Sequence, residues 1–244
     1  MKLRLAVISD IHSNLEALTA VFEEIENRDI DKIVCLGDIV GYGPNPKECI
    51  ELVKTKCDAI IIGNHDVACF NHSELYYFNR FAKQALEWTT DQLENNQLDF
   101  LKSLPDSSIY ANSRLVHSNP HFPQSWDYVL SIDDAIFNFA AFEEKVCFIG
   151  HSHQPIIYIE NQGQKYSFAE NSEITFQPSC RYIINVGSVG QPRDHNPASA
   201  FGIMDTAAQH YELIRVAYDI EKTQAKMHAA GLPSFLAERL MAGK

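Results

Sequence analysis

Ala59-Ile60-Ile61-Ile62-Gly63-Asn64-His65-Asp66 decides the reading of this chain. The four apolar residues predict a buried strand at about 58–62. Glycine lets the chain turn sharply there. Three side chains with donor or acceptor atoms follow at once. Open α/β sheets place their ligand sites just past the carboxyl ends of strands. The pattern recurs. Leu3–Ile8 runs into Ser9-Asp10-Ile11-His12, and Ile33–Leu36 runs into Gly37-Asp38. Leu115-Val116 ends at His117, and Val146–Ile149 ends at Gly150-His151-Ser152-His153. Five apolar runs that each end in Asp, Asn or His predict one cluster of metal-binding type.

Working outward, Leu15, Leu18, Val21, Phe22 and Ile25 repeat at helical spacing, with Asn14 as N-cap. Asn45-Pro46-Lys47-Glu48 reads as a helix start, with Asn as cap, Pro in the first position and Glu at the third. The β-α-β-α-β alternation up to Asp66 predicts a parallel sheet with helices on its face. Residues 67–104 break the pattern. Tyr76, Tyr77, Phe78, Phe81, Leu86, Trp88 and Leu93 predict a helical insertion packed on the core. The alternative is a lid whose aromatic residues stack on a base. Strands are expected at 108–111, 114–117, 146–149, 156–160, 180–186, 200–205 and 210–216. A helix is expected at 132–141, opened by Ser131 and Asp134 in capping-box positions. Gly163 marks a hairpin turn. Helices close the chain at 219–230 and 233–241, separated by Gly231-Leu232-Pro233. With no linker, repeat or low-complexity tract, residues 1–244 read as one domain of two packed sheets with helices outside.

Composition bounds the partners. The chain has 244 residues, 45% apolar and 21% charged, with net charge −12. An acidic surface does not suit general binding to a nucleic-acid backbone or an anionic membrane. A local metal cluster still attracts phosphate against that background. Cysteines stand at 35, 49, 57, 69, 147 and 180, with no Cys-x-x-Cys pair. They read as small buried residues in a reducing compartment. No apolar stretch approaches the ~20 residues of a membrane span. The N-terminal apolar run is short and lacks a cleavage site. The expectation is a cytoplasmic protein.

Asp10, His12, Asp38, Asn64, His117, His151 and His153 offer oxygen and nitrogen donors without thiolate. That set suits borderline divalent metals such as Mn, Fe, Co, Ni or Zn. Seven donors exceed the three or four of one catalytic zinc. Two ions bridged by a shared carboxylate use them all. Asp10 and His12, and likewise His151 and His153, lie two apart and would point the same way in extended chain. Two metals ~3.5–4 Å apart clamp the attacking and leaving oxygens of a phosphoryl displacement and hold a hydroxide nucleophile.

The ordered blocks Asp10-Ile-His12, Gly37-Asp38-Ile-Val-Gly41, Gly63-Asn64-His65-Asp66, His117 and Gly150-His151-Ser-His153 resemble those of the calcineurin-like metallophosphoesterases. Asn185-Val-Gly187-Ser188-Val-Gly190-Gln191-Pro192-Arg193-Asp194 resembles a loop of the bacterial single-domain branch, which includes small phosphodiesterases and diadenosine-tetraphosphatase-like proteins. The resemblance covers about residues 5–190. It implies a four-layer α-β-β-α sandwich of two mixed sheets. It implies two divalent transition metal ions, Mn, Fe or Zn. One would sit on Asp10, His12, Asp38 and His153. The other would sit on Asp38, Asn64, His117 and His151. His65 would be the catalytic histidine that protonates or stabilises the leaving oxygen. The implied activity is hydrolysis of a phosphodiester or nucleoside polyphosphate, so the partner is a small phosphorylated substrate, nucleotides included.

The chain departs from the family pattern in places. Phosphoprotein phosphatases carry Gly-Asp-x-x-Asp-Arg-Gly where this chain has Gly37-Asp38-Ile-Val-Gly41-Tyr42-Gly43. The acid that orients the catalytic histidine and the phosphate-gripping arginine are both missing, which argues against a protein phosphatase; a phosphomonoesterase stays among the alternatives. Ser118 stands where glycine is usual and Val186 where proline is common. Retention of all eight metal and catalytic positions argues against a silent scaffold on the same fold. The absence of Gly-x-Gly-x-x-Gly argues against a Rossmann-type binder. Arg193 follows the strand Tyr182–Asn185 in a loop whose two glycines allow close approach to a phosphate, and it presents a bidentate fork. The competing reading pairs it with Asp194 or another surface carboxylate.

Overall fold

The computed structural model describes residues 2–163 and 165–244. In chain order the strands are β1 (Arg4–Ile8), β2 (Lys32–Cys35), β3 (Ala59–Ile60), β4 (Ser107–Tyr110), β5 (Ser113–Val116) and β6 (Val146–Ile149). Then come β7 (Ile156–Asn161), β8 (Lys165–Ala169), β9 (Glu173–Thr175), β10 (Arg181–Asn185), β11 (Ser199–Asp205) and β12 (His210–Val216). The helices are α1 (Leu15–Glu26), α2 (Pro46–Lys56), α3 (Asn64–Ala68), α4 (Arg80–Gln92), α5 (Asn95–Lys102), α6 (Ile132–Phe139), α7 (Ile220–Ala229) and α8 (Ser234–Ala242).

The strands form two mixed six-stranded sheets, ordered β3-β2-β1-β11-β12-β9 and β4-β5-β6-β10-β7-β8. β1, β2 and β3 are parallel, as are β5, β6 and β10. Side chains alternate across each strand, so β1 feeds two cores. Leu5 and Val7 meet Phe148, Tyr182 and Ile184 between the sheets. Ala6 and Ile8 face outward onto Leu18 and Phe22 of α1 and Ile50 of α2. On the far side, Cys147, Ile149 and Ile183 pack on Ala135 and Phe139 of α6. This is the four-layer α-β-β-α sandwich. Burial on both faces explains why Leu5–Ile8 of β1 and all of β6 are apolar at every position.

The local signals hold where the partner is near in sequence. Asn14 Oδ1 accepts from Ala17 N at 3.2 Å, and Ser131 and Asp134 form their capping box. Gly163, φ +76°, turns β7 into β8, a strand the sequence reading placed no bounds on. Other expectations needed correction. Asn45 precedes α2 but makes no cap, because its amide donates to Glu48 and its oxygen accepts from Lys226. The strand expected over 58–62 is cut to Ala59–Ile60, since Ile62 N turns to Pro105 O. β9 went unread because three residues, two of them polar and exposed, carry no period. Residues 67–104 hold a short 3-10 turn, Glu74–Tyr77, followed by α4 and α5. Ala82, Ala85, Leu86 and Leu101 are buried beneath them. No helix among the described residues is long and apolar enough to cross a membrane.

Candidate metal centre

The loops that leave β1, β2, β5, β6 and β10 are stitched to one another by backbone bonds. Ile11 N and His12 N both donate to Asp38 O at 2.9 Å, Gly150 N donates to His117 O, and Gly190 N donates to Asp10 O. Asp10, His12, Asp38, Asn64, His65, His117, His151 and His153 are thereby brought together and all are buried. Arg193 lies half-buried on the wall of the same cavity.

Five of the candidate ligands adopt left-handed backbone: Asp10 (φ 54°), His12 (49°), Asp38 (51°), His151 (64°) and His153 (59°). Each such non-glycine residue costs about 1–2 kcal/mol. The extended geometry expected for Asp10/His12 and His151/His153 is therefore wrong. The second pair diverges. His153 joins Asp10 and His12 in one group of donor atoms, all within 4.8 Å of one another, while His151 joins Asp38 and His117 in another. His12, Asp38 and His65 make a third such group.

Backbone carbonyls fix four of the histidine rings. Nδ1 of His12, His117 and His153 lies 3.1, 2.8 and 2.6 Å from the carbonyl oxygens of Val40, Leu36 and Gln191. His151 uses Nε2, 2.8 Å from Trp126 O. A carbonyl only accepts, so the proton sits on the tethered nitrogen and the other nitrogen faces inward. Nε2 of His12 and Nε2 of His153 consequently meet at 3.0 Å. Burial first, then neighbouring positive charge, pushes both rings below the usual histidine range, so each presents a lone pair to the other. A shared cation converts that repulsion into coordination. With two buried carboxylates and no thiolate beside them, the donor set fits borderline divalent metal ions.

Electrostatics agree with two buried anions ringed by imidazoles. Burial opposes ionisation of Asp10 and Asp38, yet His153 beside Asp10 and His117 beside Asp38 hold both well below the usual range. Burial disfavours charge on His117, but Asp38, 3.3 Å away, outweighs it and raises the ring to about 9. Burial lowers His151 to about 3 and His65 to about 4.

His65 is placed differently. Its backbone N donates to Asp38 Oδ1 at 2.8 Å, but its buried Nδ1 has no hydrogen-bond partner among the described residues. The rings of Tyr42, His12 and Phe78 hold it instead, at 4.4, 4.7 and 4.8 Å. Gly63 is required for contact rather than for a turn. Its φ of −109° is ordinary, but a Cβ there would lie 2.2 Å from Asp38 Oδ1. Gly187 and Gly190 press on Pro155 and on the Ile11 carbonyl, so their smallness serves internal packing and not approach to phosphate. Arg193 bonds Gln191 Oε1 at 2.8 Å, while Asp194 pairs with Arg215, so the Arg193–Asp194 pair does not form.

The sequence reading missed four residues. Asp66 accepts from the backbone N of Ile39, Val40 and Gly63, which locks the Asp38 loop to α3. Tyr42 was quoted only as loop, although its place just after Gly37-Asp38 was a usable signal. Trp126, left-handed at φ 57°, and Tyr128, stacked on His151 at 4.1 Å, come from a stretch without any motif. Trp126 and Tyr128 line a cavity of about 500 Å³ over the cluster, opposite Tyr77 and Phe78.

Comparison with known proteins agrees with this geometry. The chain is 41% identical to an uncharacterized protein of Methanocaldococcus jannaschii, over the full length of both. A crystal structure of a metallophosphoesterase from Sphaerobacter thermophilus superposes with TM-score 0.88 at 39% identity, covering all of both chains. A symmetrical bis(5′-nucleosyl)-tetraphosphatase of Aliivibrio fischeri is 25% identical over 73% of this chain, which spans 64% of that protein's length. The family model for the calcineurin-like phosphoesterase superfamily domain matches residues 3–209. Two mixed sheets that edge a buried cluster of histidines and carboxylates, together with these relatives, make the chain a member of the calcineurin-like phosphoesterase superfamily, whose enzymes use divalent metal ions.

Proposed function

We propose that the chain hydrolyses a phosphodiester or a phosphoanhydride of a nucleoside polyphosphate. The face-to-face Nε2 atoms of His12 and His153 carry the reading, because two carbonyl-tethered imidazoles have no reason to meet at 3.0 Å without a cation. Asp10, His12, Asp38 and His153 would hold one divalent ion, and Asp38, Asn64, His117 and His151 the other. Mn, Fe and Zn suit these donors. Two such ions would polarise the phosphoryl group and activate water at neutral pH.

The protein's own groups do the rest. Asp38, within reach of both His12 and His117, would bridge the two ions. His65, kept neutral by burial and gripped by Tyr42 and Phe78, offers an N–H to the leaving oxygen. Arg193 binds phosphate beyond the scissile one. Tyr77, Phe78, Trp126 and Tyr128 give the cavity aromatic walls on which a base can stack. In this reading the 67–104 segment supplies one wall as a lid within a single domain. The name of the Aliivibrio relative also favours a nucleotide substrate. The six free cysteines fit a cytoplasmic setting.

The test is metal analysis of purified protein, then a panel of mono-, di- and polyphosphate esters with and without added Mn. Two equivalents of metal and chelator-sensitive hydrolysis of a diester or polyphosphate are expected. Activity on monoesters alone, or activity indifferent to chelation, would sink the reading.

A further inference from the structure

Eight arginines are present in the chain, which carries 32 acidic residues. Arg4, Arg28, Arg114, Arg181 and Arg215 each pair with a carboxylate. Among the described residues the other three, Arg80, Arg193 and Arg239, have no side-chain carboxylate within ion-pair distance. They do not lie scattered. The Arg193 guanidinium stands 5.8 Å from the centre of the Tyr42 ring, and Tyr42 touches His65. The C-terminal end of α8 is fastened to the loop after Arg193, where His195 N donates to Gly243 O at 2.8 Å. Arg239, on the same helix, lies within electrostatic reach of Arg193, Tyr42 and Tyr128, three residues of the cavity wall. Arg239 lies 5.7 Å over Phe235, Phe235 stacks on Phe81 at 5.0 Å, and Arg80 lies 4.5 Å over Phe81. Charge and aromatic face thus alternate from the metal cluster out along the seam of α4 and α8.

We propose that Arg193, Arg239 and Arg80 form a track for a chain of phosphates, so that the substrate extends from the metal cluster along the α4–α8 seam with at least two phosphates beyond the scissile one. This rests on the phosphoesterase reading and adds to it the direction and the holding residues. Arg239 gives its Nε proton to the main-chain oxygen of Lys244, and its terminal NH2 groups have no hydrogen-bond partner among the described residues. Arg193 lines the cavity, and the half-buried Arg239 stands close enough to feel its charge and those of Tyr42 and Tyr128, neither guanidinium having a side-chain carboxylate as partner. Burial, then the Arg193 charge, lowers Arg239 to about 10, and both charges also act on Tyr42. A phosphate chain neutralises such a pair and matches the planar fork of each guanidinium. Among the described residues, Glu74, in the same 3-10 turn as Tyr77, is the one carboxylate on the cavity wall outside the metal cluster. Phe235, about half exposed, offers a base or ribose a flat face farther along.

Calorimetric binding of tripolyphosphate and of orthophosphate to chelator-treated full-length protein tests the track without turnover. Arg239→Gln should weaken tripolyphosphate about tenfold and Arg80→Gln about threefold, with a much smaller effect on orthophosphate. Arg239→Lys, which keeps charge and loses the fork, should fall between. Unchanged melting temperatures show that the variants are folded. In turnover, Arg239→Gln should lower kcat/KM for a dinucleoside polyphosphate at least fivefold more than for bis(4-nitrophenyl) phosphate. Wild-type-like tripolyphosphate binding in all three variants, or an equal loss of orthophosphate, overturns the track. If the metal-loaded wild type hydrolyses neither ester while tripolyphosphate binding still depends on Arg239, the phosphoesterase reading fails and the track stands. If the diester is cleaved but tripolyphosphate binding ignores Arg239 and Arg80, the track alone fails.

Discussion

His12 and His153 come from opposite sheets, one after β1 and the other after β6, and bring their Nε2 atoms to 3.0 Å. A cation held between them would tie the two sheets together. Chelation should therefore lower the melting temperature, and Mn or Zn should restore it. Ligand at 100 times its Kd is worth about 2.7 kcal/mol. Scanning calorimetry with and without chelator checks this, and a melting temperature indifferent to metal counts against the site.

Asp38 reaches a histidine of each donor group, its Oδ2 lying 3.6 Å from His12 Nε2 and 3.3 Å from His117 Nε2. Asp38→Ala should abolish activity and deplete both metals. Asn64→Ala or His117→Ala should weaken mainly one. Native mass spectrometry decides, and two full equivalents retained in Asp38→Ala would refute the bridge.

His65→Ala should keep its metals and lose ~10²–10⁴-fold in rate, less when the leaving group is a nitrophenolate. Gly41→Ala should act in the same direction. Gly41 sits at φ +88°, and a Cβ there would fall 2.4 Å from His65 Nδ1. Full metal content with slow turnover is the expected signature in both. Metal loss in His65→Ala would make His65 a ligand.

Arg193→Lys should hurt a dinucleoside polyphosphate much more than a small aryl diester, since lysine keeps the charge and loses the fork. Measurement of kcat/KM for both substrates checks it. Equal effects would leave Arg193 with no part in substrate choice.

Glu16 anchors α7 from beneath. Its carboxylate, nearly buried, bonds Lys226 Nζ at 2.6 Å and lies 3.4 Å from Lys222 Nζ. Burial opposes its charge, but Lys226 outweighs that and lowers its pKa. A depressed carboxylate contributes stability that is present above its unfolded pKa and lost as pH falls through the folded one. Glu16→Gln should thus cost about 1 kcal/mol at pH 7, given the solvent screening of the lysines. The deficit should vanish in acid. Urea melts at pH 7 and at pH 3 report it, and a deficit independent of pH would point to packing instead.

Much of the fold could be read from the chain because its signals are local. Apolar runs such as Leu5–Ile8 and Cys147–Ile149 announce strands buried on both faces, and the polar residue that ends each run marks the site edge. Asn14 and Ser131 cap helices with partners three residues away, which sequence spacing reveals. The same locality misled the reading at Asn45, whose oxygen is taken by Lys226 from the far end of the chain.

The sequence by itself determined which residues gather in the candidate centre, since strand-end position and donor chemistry are both one-dimensional properties. Only the tertiary structure decided how they stand. The left-handed turns at Asp10, His12, Asp38, His151 and His153 are strained alone, and they persist because bonds from other strands over-determine them. The carbonyls that orient His117 and His153 lie 81 and 38 residues away along the chain, so no spacing rule reports them. Trp126 and Tyr128 join the wall for the same reason. Packing, and no motif, brings distant segments against one cavity.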